Sequence, residues 1–133
     1  MHIRIMIVDG GVTGNLQLGQ LLCVYEQFHI LHEAKTGRDA ISQCESLKPD
    51  IVIINPDVRD MSEASLIREL IRICPLCQCI VLTTSDEPEW SMNVMRAGGR
   101  CIVSKPIDAT TLHSLISEIY SSLLRYKESL DSE

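Results

Sequence analysis

Apolar residues in this chain come in two alternating rhythms. Ile3 to Val8 is a β-branched, largely apolar run broken by Gly10-Gly11; Leu18, Leu21, Leu22 and Tyr25 then return at helical spacing. Phe28 to Leu31 reads as a second, short strand. Thr36-Gly37-Arg38-Asp39 can cap a helix whose inner stripe is Ala40, Ile41, Cys44 and Leu47, and Pro49 stops it. Ile51 to Ile54 is apolar at every position, as in a strand covered on both faces. Leu66, Ile67, Leu70, Ile71 and Cys74 form a third helical stripe, followed by a strand from Cys79 to Leu82. Pro88 and Gly98 bracket a fourth helix, Pro inside its start and Gly past its end. Cys101 to Val103 is the fifth strand. Asp108 then caps a long last helix with Leu112, Leu115, Ile116, Ile119, Leu123 and Leu124 on its inner face.

Strand and helix alternating five times predict one α/β domain: a parallel sheet with helices on both faces and right-handed crossovers. The domain is expected over residues 1–126, with 127–133 a polar, frayed tail or the start of a linker. Such sheets hold ligands beyond the carboxyl ends of their strands. Asp9, Asn55, Thr83 and Lys105 all fall there.

Composition narrows the function. The 133 residues are 45% apolar, enough for one real core, and carry a net charge of −6 without a stripe of Lys and Arg. That argues against nucleic-acid binding by this segment, though not by a longer parent chain. No run approaches the roughly 20 apolar residues of a membrane span, and no leader-like segment opens the sequence, so a cytoplasmic protein is expected. The six cysteines, at 23, 44, 74, 77, 79 and 101, fit that compartment as reduced thiols.

Five segments together resemble the response-regulator receiver domain of two-component signalling, over roughly residues 2 to 124. They are Ile7-Val8-Asp9, Pro49 to Asn55, Val81-Leu82-Thr83-Thr84, Arg96-Ala97-Gly98-Gly99 and Val103-Ser104-Lys105-Pro106. The resemblance implies a flavodoxin-like (βα)5 sheet in the order 2-1-3-4-5. It also implies a site: two adjacent acids after the first strand that help hold Mg2+, and an aspartate after the third that accepts phosphate from a histidine kinase. A Thr or Ser and a Lys contact the phosphoryl oxygens, and an aromatic residue on the fifth strand serves as the switch.

Against that pattern Asp9, Thr83 and Lys105-Pro106 are kept, while three positions depart. Gly10 stands at the second acid, Asn55 at the phosphoacceptor and Ile102 at the switch aromatic; Arg59 lies near where the loop proline is usual. An amide cannot attack a phosphoryl group as a carboxylate can. Asp9 and Lys105 sum to zero charge, so Mg2+ binding is expected to be weak or absent. Deamidation of Asn55 is also hindered, because Pro56 has no N–H to attack with. Lys105 is expected to face Asp9 and the Asn55 amide oxygen, fixing one constitutive conformer.

Other residues receive narrower readings. Asp57 and Asp60 are the candidate substitute phosphoacceptors, Asp57 needing a shifted register. Cys74, Cys77 and Cys79 have metal-like spacing but no close fourth ligand, with Cys101 the nearest candidate; no metal site is assigned. Gly10-Gly11-Val12-Thr13-Gly14 lacks the endings of a P-loop or dinucleotide motif. Trp90 and Met92, with Met95, mark the fourth helix as a candidate interface, Trp90 as an anchor or a cap on the sheet edge. The four histidines show no ligand spacing.

The expected function is a degenerate receiver: a non-enzymatic, cofactor-free interaction or dimerisation module. It would meet a regulatory protein or a second copy of itself through the fourth helix, fifth strand and fifth helix. One alternative is a conventional receiver, phosphorylated by a histidine kinase at Asp57 or at an Asp occupying position 55 in the parent protein. Another is a small nucleotide-binding α/β module.

Overall fold

The computed structural model describes residues 2–10, 18–55, 58–85 and 87–131. Five strands, β1 (Ile3–Val8), β2 (Phe28–Ala34), β3 (Ile51–Ile54), β4 (Gln78–Thr83) and β5 (Cys101–Ser104), form one parallel sheet in the order β2-β1-β3-β4-β5. Helices α1 (Leu18–Leu22), α2 (Gly37–Leu47), α3 (Glu63–Ile73), α4 (Pro88–Arg96) and α5 (Ala109–Asp131) alternate with them. The parallel sheet is the one the alternation predicts, and its order is the flavodoxin-like one that the resemblance implies.

The central strands explain the two-sided core. Every residue of β3 is buried, and its side chains alternate between two apolar clusters. Val52 and Ile54 join Met6, Val8, Val81, Ala40, Cys44, Leu66, Ile67, Leu70 and Val94 on the α2–α3–α4 face. Ile51 and Ile53 join Ile5, Ile7, Ile80, Leu82, Leu18, Leu112 and Ile116 on the α1–α5 face. Register does the sorting, since Ile53 stands opposite Ile7 on one side and Ile80 on the other.

Helix ends follow local chemistry. Thr36 Oγ1 accepts from Asp39 N at 3.0 Å, the N-cap legible in the sequence. A second cap on α2 comes from far away: Asp60 accepts from Gly37 N at 2.8 Å and Arg38 N at 3.0 Å. The Gly37 bond, with smaller help from Arg38, holds the Asp60 carboxyl below its ordinary range. At the other end of α2, Arg4 donates to the Leu47 and Lys48 carbonyl oxygens at 2.6 and 2.8 Å. Asp108 accepts from Thr111 N at 2.7 Å at the start of α5, and that bond holds its carboxyl down too.

Several expectations need correction. Edge strand β2 runs on to Ala34, three residues past its expected end. Leu21, placed in the α1 stripe, is 36% exposed, and Tyr25 lies beyond α1, its ring stacked on His113 at 4.2 Å. Helix α5 continues to Asp131, across the expected 126/127 boundary and into the segment read as frayed. There Lys127 Nζ lies 3.6 Å from Asp50 Oδ1.

Gly98 ends α4 with φ +113°, a conformation that side chains with a Cβ rarely adopt. A Cβ there would also clash with Ile71 Cδ1. Rotation of Ile71 can relieve the contact but not the backbone strain. Gly98→Ala is therefore expected to cost about 2 kcal/mol in a urea unfolding curve.

Candidate functional site

Parallel strands with one common direction deliver their last residues to one edge of the sheet. Asp9 follows β1 and its backbone N donates to Ala34 O at 2.8 Å; Asn55 follows β3 and its N donates to Val8 O at 2.8 Å. Thr83 ends β4, and Lys105, just past β5, donates its backbone N–H to Thr83 O at 2.7 Å. The Lys105–Pro106 peptide bond is cis. The four positions read from the sequence thus end four adjacent strands, β1, β3, β4 and β5.

One side-chain contact in the site joins β3 and β5 across β4. Lys105 Nζ donates to Asn55 Oδ1 at 2.8 Å. An ammonium has only donors, so the amide must present its oxygen. Asn55 is 4% exposed, while the lysine stem is half-buried. A neutral amide tolerates such burial with one charge-assisted partner, whereas a carboxylate there would need full charge compensation. The Asn55 part of the contact expected for Lys105 is present.

Thr83 is 3% exposed, and its hydroxyl is engaged locally. Oγ1 accepts from Ser85 N at 2.9 Å and donates to Ser85 O at 3.2 Å, tying down the turn that leads to α4. Ile102 on β5 is half-buried and packs on the α2–α3–α4 face of the core. A branched aliphatic there has neither the length nor the hydroxyl of a tyrosine.

The donor set does not suit Mg2+. Among the described residues directly following β1, β3, β4 and β5, Asp9 supplies the one carboxylate, and the Asn55 oxygen already accepts from an ammonium. Mg2+ prefers carboxylate oxygens and sheds water reluctantly. Asp57 and residues 11–14 of the glycine loop lie outside the described residues. Asp60 is engaged with the α2 N-terminus, which runs against its reading as a substitute acceptor.

On α4, Trp90 turns inward. It is half-buried against the core, and its indole Nε1 donates to Glu63 Oε2 at 3.4 Å. The exposed apolar side chains of that helix are Met92 and Met95, at 50% and 46% exposure. Nearby, β5 and α5 line an open groove of about 730 Å³ that includes Arg100, Leu115, Ser122 and Arg125. No described helix is long and apolar enough to cross a membrane.

Sequence reasoning missed Asp60 as the distant cap of α2. It also missed Cys44, whose sulfur lies with those of Cys74 and Cys77. Cys101 packs on the opposite face of the sheet, with the α1–α5 cluster, so it is not the nearest partner of the Cys74–Cys77 pair. A backbone-capping aspartate leaves no fixed spacing in sequence, and neither does a cysteine brought in from another helix.

The profile of the response regulator receiver domain matches residues 5–117. Chemotaxis protein CheY of Thermotoga maritima is 24% identical over 119 residues, covering 90% of this chain and 98% of that protein. Response regulator protein VraR of Staphylococcus epidermidis is 22% identical over 90% of this chain, which spans 57% of VraR. Among solved structures, a CheY-like receiver domain protein from Methanospirillum hungatei superposes with TM-score 0.85 at 20% identity, over 95% of this chain and 99% of that one. The receiver domain of a putative LuxO repressor protein from Vibrio parahaemolyticus gives TM-score 0.79 at 25% identity, over 100% and 98%.

Proposed function

We propose that this chain, which belongs to the response regulator receiver family, is a receiver that signals without being phosphorylated. The observation that carries the reading is the Lys105 ammonium on the amide oxygen of buried Asn55. The position where the family places its phosphoacceptor holds a group without nucleophilic chemistry, and the lysine that would meet a phosphoryl oxygen already has a partner. With Thr83 bound into its own turn and an isoleucine at the switch position, the strand-end loops are held in one arrangement.

Output then rests on surface recognition by a regulatory protein or a second copy of the chain, in the cytoplasm. The face formed by α4, β5 and α5 suits that role, with Met92 and Met95 exposed and an open groove beside α5. A histidine kinase would find no acceptor at position 55. A conventional receiver is the second reading, favoured by the retained Asp9, Thr83 and Lys105.

Beryllofluoride with Mg2+ mimics a phosphoryl group on an acceptor carboxylate. Added to the labelled protein, it is expected to leave the amide resonances after β3 and β4 in place. Saturable shifts at Asn55, Thr83 and Thr84 would overturn the constitutive conformer.

A further inference from the structure

At the opposite end of the sheet three thiols converge from distant parts of the chain. Cys44 comes from α2, Cys74 caps the end of α3, and Cys77 lies in the turn before β4. Their sulfurs all lie within 4.8 Å of one another. Cys44 is fully buried, Cys77 is 3% exposed and Cys74 is half-buried. Cys77 N donates to Cys74 O at 3.0 Å, a tight turn that points both side chains to one side. We propose that Cys44, Cys74 and Cys77 form a three-thiolate site for a soft, thiophilic cation of the Cu(I) type.

The number and kind of ligands select the ion. Thiolates favour soft metals, while structural zinc takes four ligands. Cys79 lies against the Cys77 thiol but is not within the same mutual reach of Cys44 and Cys74. Metal–sulfur bonds of about 2.3 Å in a planar three-sulfur site need sulfurs about 4 Å apart, so little movement is required. An entry path exists: a cavity of about 280 Å³ is lined by Lys48, Pro49, Asp50, Cys74, Leu76 and Lys127. Lys127 is paired with Asp50 in that lining, which leaves the Lys48 ammonium to offset part of the negative charge of a metal–thiolate complex.

A cation fits this place better than a reactive thiol does. The site lies at the C-terminal end of α3, where the helix dipole disfavours a lone thiolate, so sulfur is charged here only where a metal ion shares the charge. Cys74 and Cys77 aim weakly at the Pro49 and Leu70 carbonyl oxygens, each at 3.9 Å, as thiols rather than thiolates would. On binding, each ligating thiol gives its proton to solvent as its sulfur bonds the metal. Copper enters and stays as Cu(I), so no oxidant or reductant is consumed.

The test is an anaerobic titration of the reduced full chain with Cu(I) against bicinchoninate. One equivalent should be held, with X-ray absorption showing three sulfurs at about 2.3 Å. Cys74→Ser, the mildest of the three changes because Cys74 is half-exposed, should weaken binding at least about 100-fold while the metal-free melting curve stays cooperative. Cys23→Ser and Cys101→Ser should leave the affinity unchanged. Affinity that survives Cys74→Ser, retention of Zn2+ in place of Cu(I), or a disulfide among the three thiols with no copper uptake would each overturn the assignment.

Discussion

A chain carrying Gly10→Asp together with Asn55→Asp is expected to take up phosphate from acetyl phosphate in Mg2+, gaining about 80 Da. The labelling rate should exceed that of Asn55→Asp alone by about a hundredfold, the scale of one restored electrostatic contact in a reaction centre. The argument is one of charge. The two substitutions add two carboxylates beside Asp9, and Lys105 and Thr83 are already at their strand ends. Three acids against one ammonium repel one another until a divalent cation enters, so Mg2+ should also raise the melting temperature of this variant and not of the parent. Asn55→Asp alone restores the nucleophile beside an incomplete metal site, and it should label more slowly than the pair.

The second large effect concerns stability. Ile53→Ala is expected to cost about 3–4 kcal/mol in urea unfolding, enough to threaten folding of a domain this size. Ile53 is fully buried on the central strand between Ile7 and Ile80, so a truncated side chain leaves a void that neighbours held in a paired sheet cannot fill. Met92→Ala, on a surface 50% exposed, should change stability by less than about 0.5 kcal/mol. If Met92 instead anchors a partner, that variant should lose binding without losing stability.

Ile53 also shows why the fold was legible in the sequence. A four-residue run with no polar position can be satisfied only by burial on both faces, and a parallel sheet with helices on each side provides that. Edge strand β2 was harder to bound, because His29, His32 and Glu33 interrupt its apolar residues where one side has no neighbouring strand. The last turns of α5 were hidden for a similar reason. Past Tyr126 its residues are mostly polar, and its order is helped by a tertiary contact from Lys127 to Asp50 that no local pattern announces.

The gathering of four residues at one edge of the sheet was legible because they sit at fixed offsets from strand ends. Asp9, Asn55, Thr83 and Lys105 each end or directly follow a strand, so reading the strands also placed the residues. Two other features depend on contacts between segments far apart in sequence. Asp60 reaches back across 23 residues to Gly37, and Cys44 meets Cys74 and Cys77 through the packing of α2 on α3. Trp90 lies between these cases: its position on α4 was plain, but the direction of the indole depended on Glu63 and the core beneath it.

Intact mass spectrometry of the unaltered chain, incubated with acetyl phosphate and Mg2+, bears most directly on the missing acceptor. The account predicts an unchanged mass. A stoichiometric gain of about 80 Da, mapped to Asp9, Asp57 or any other residue beyond the strand ends, would contradict it.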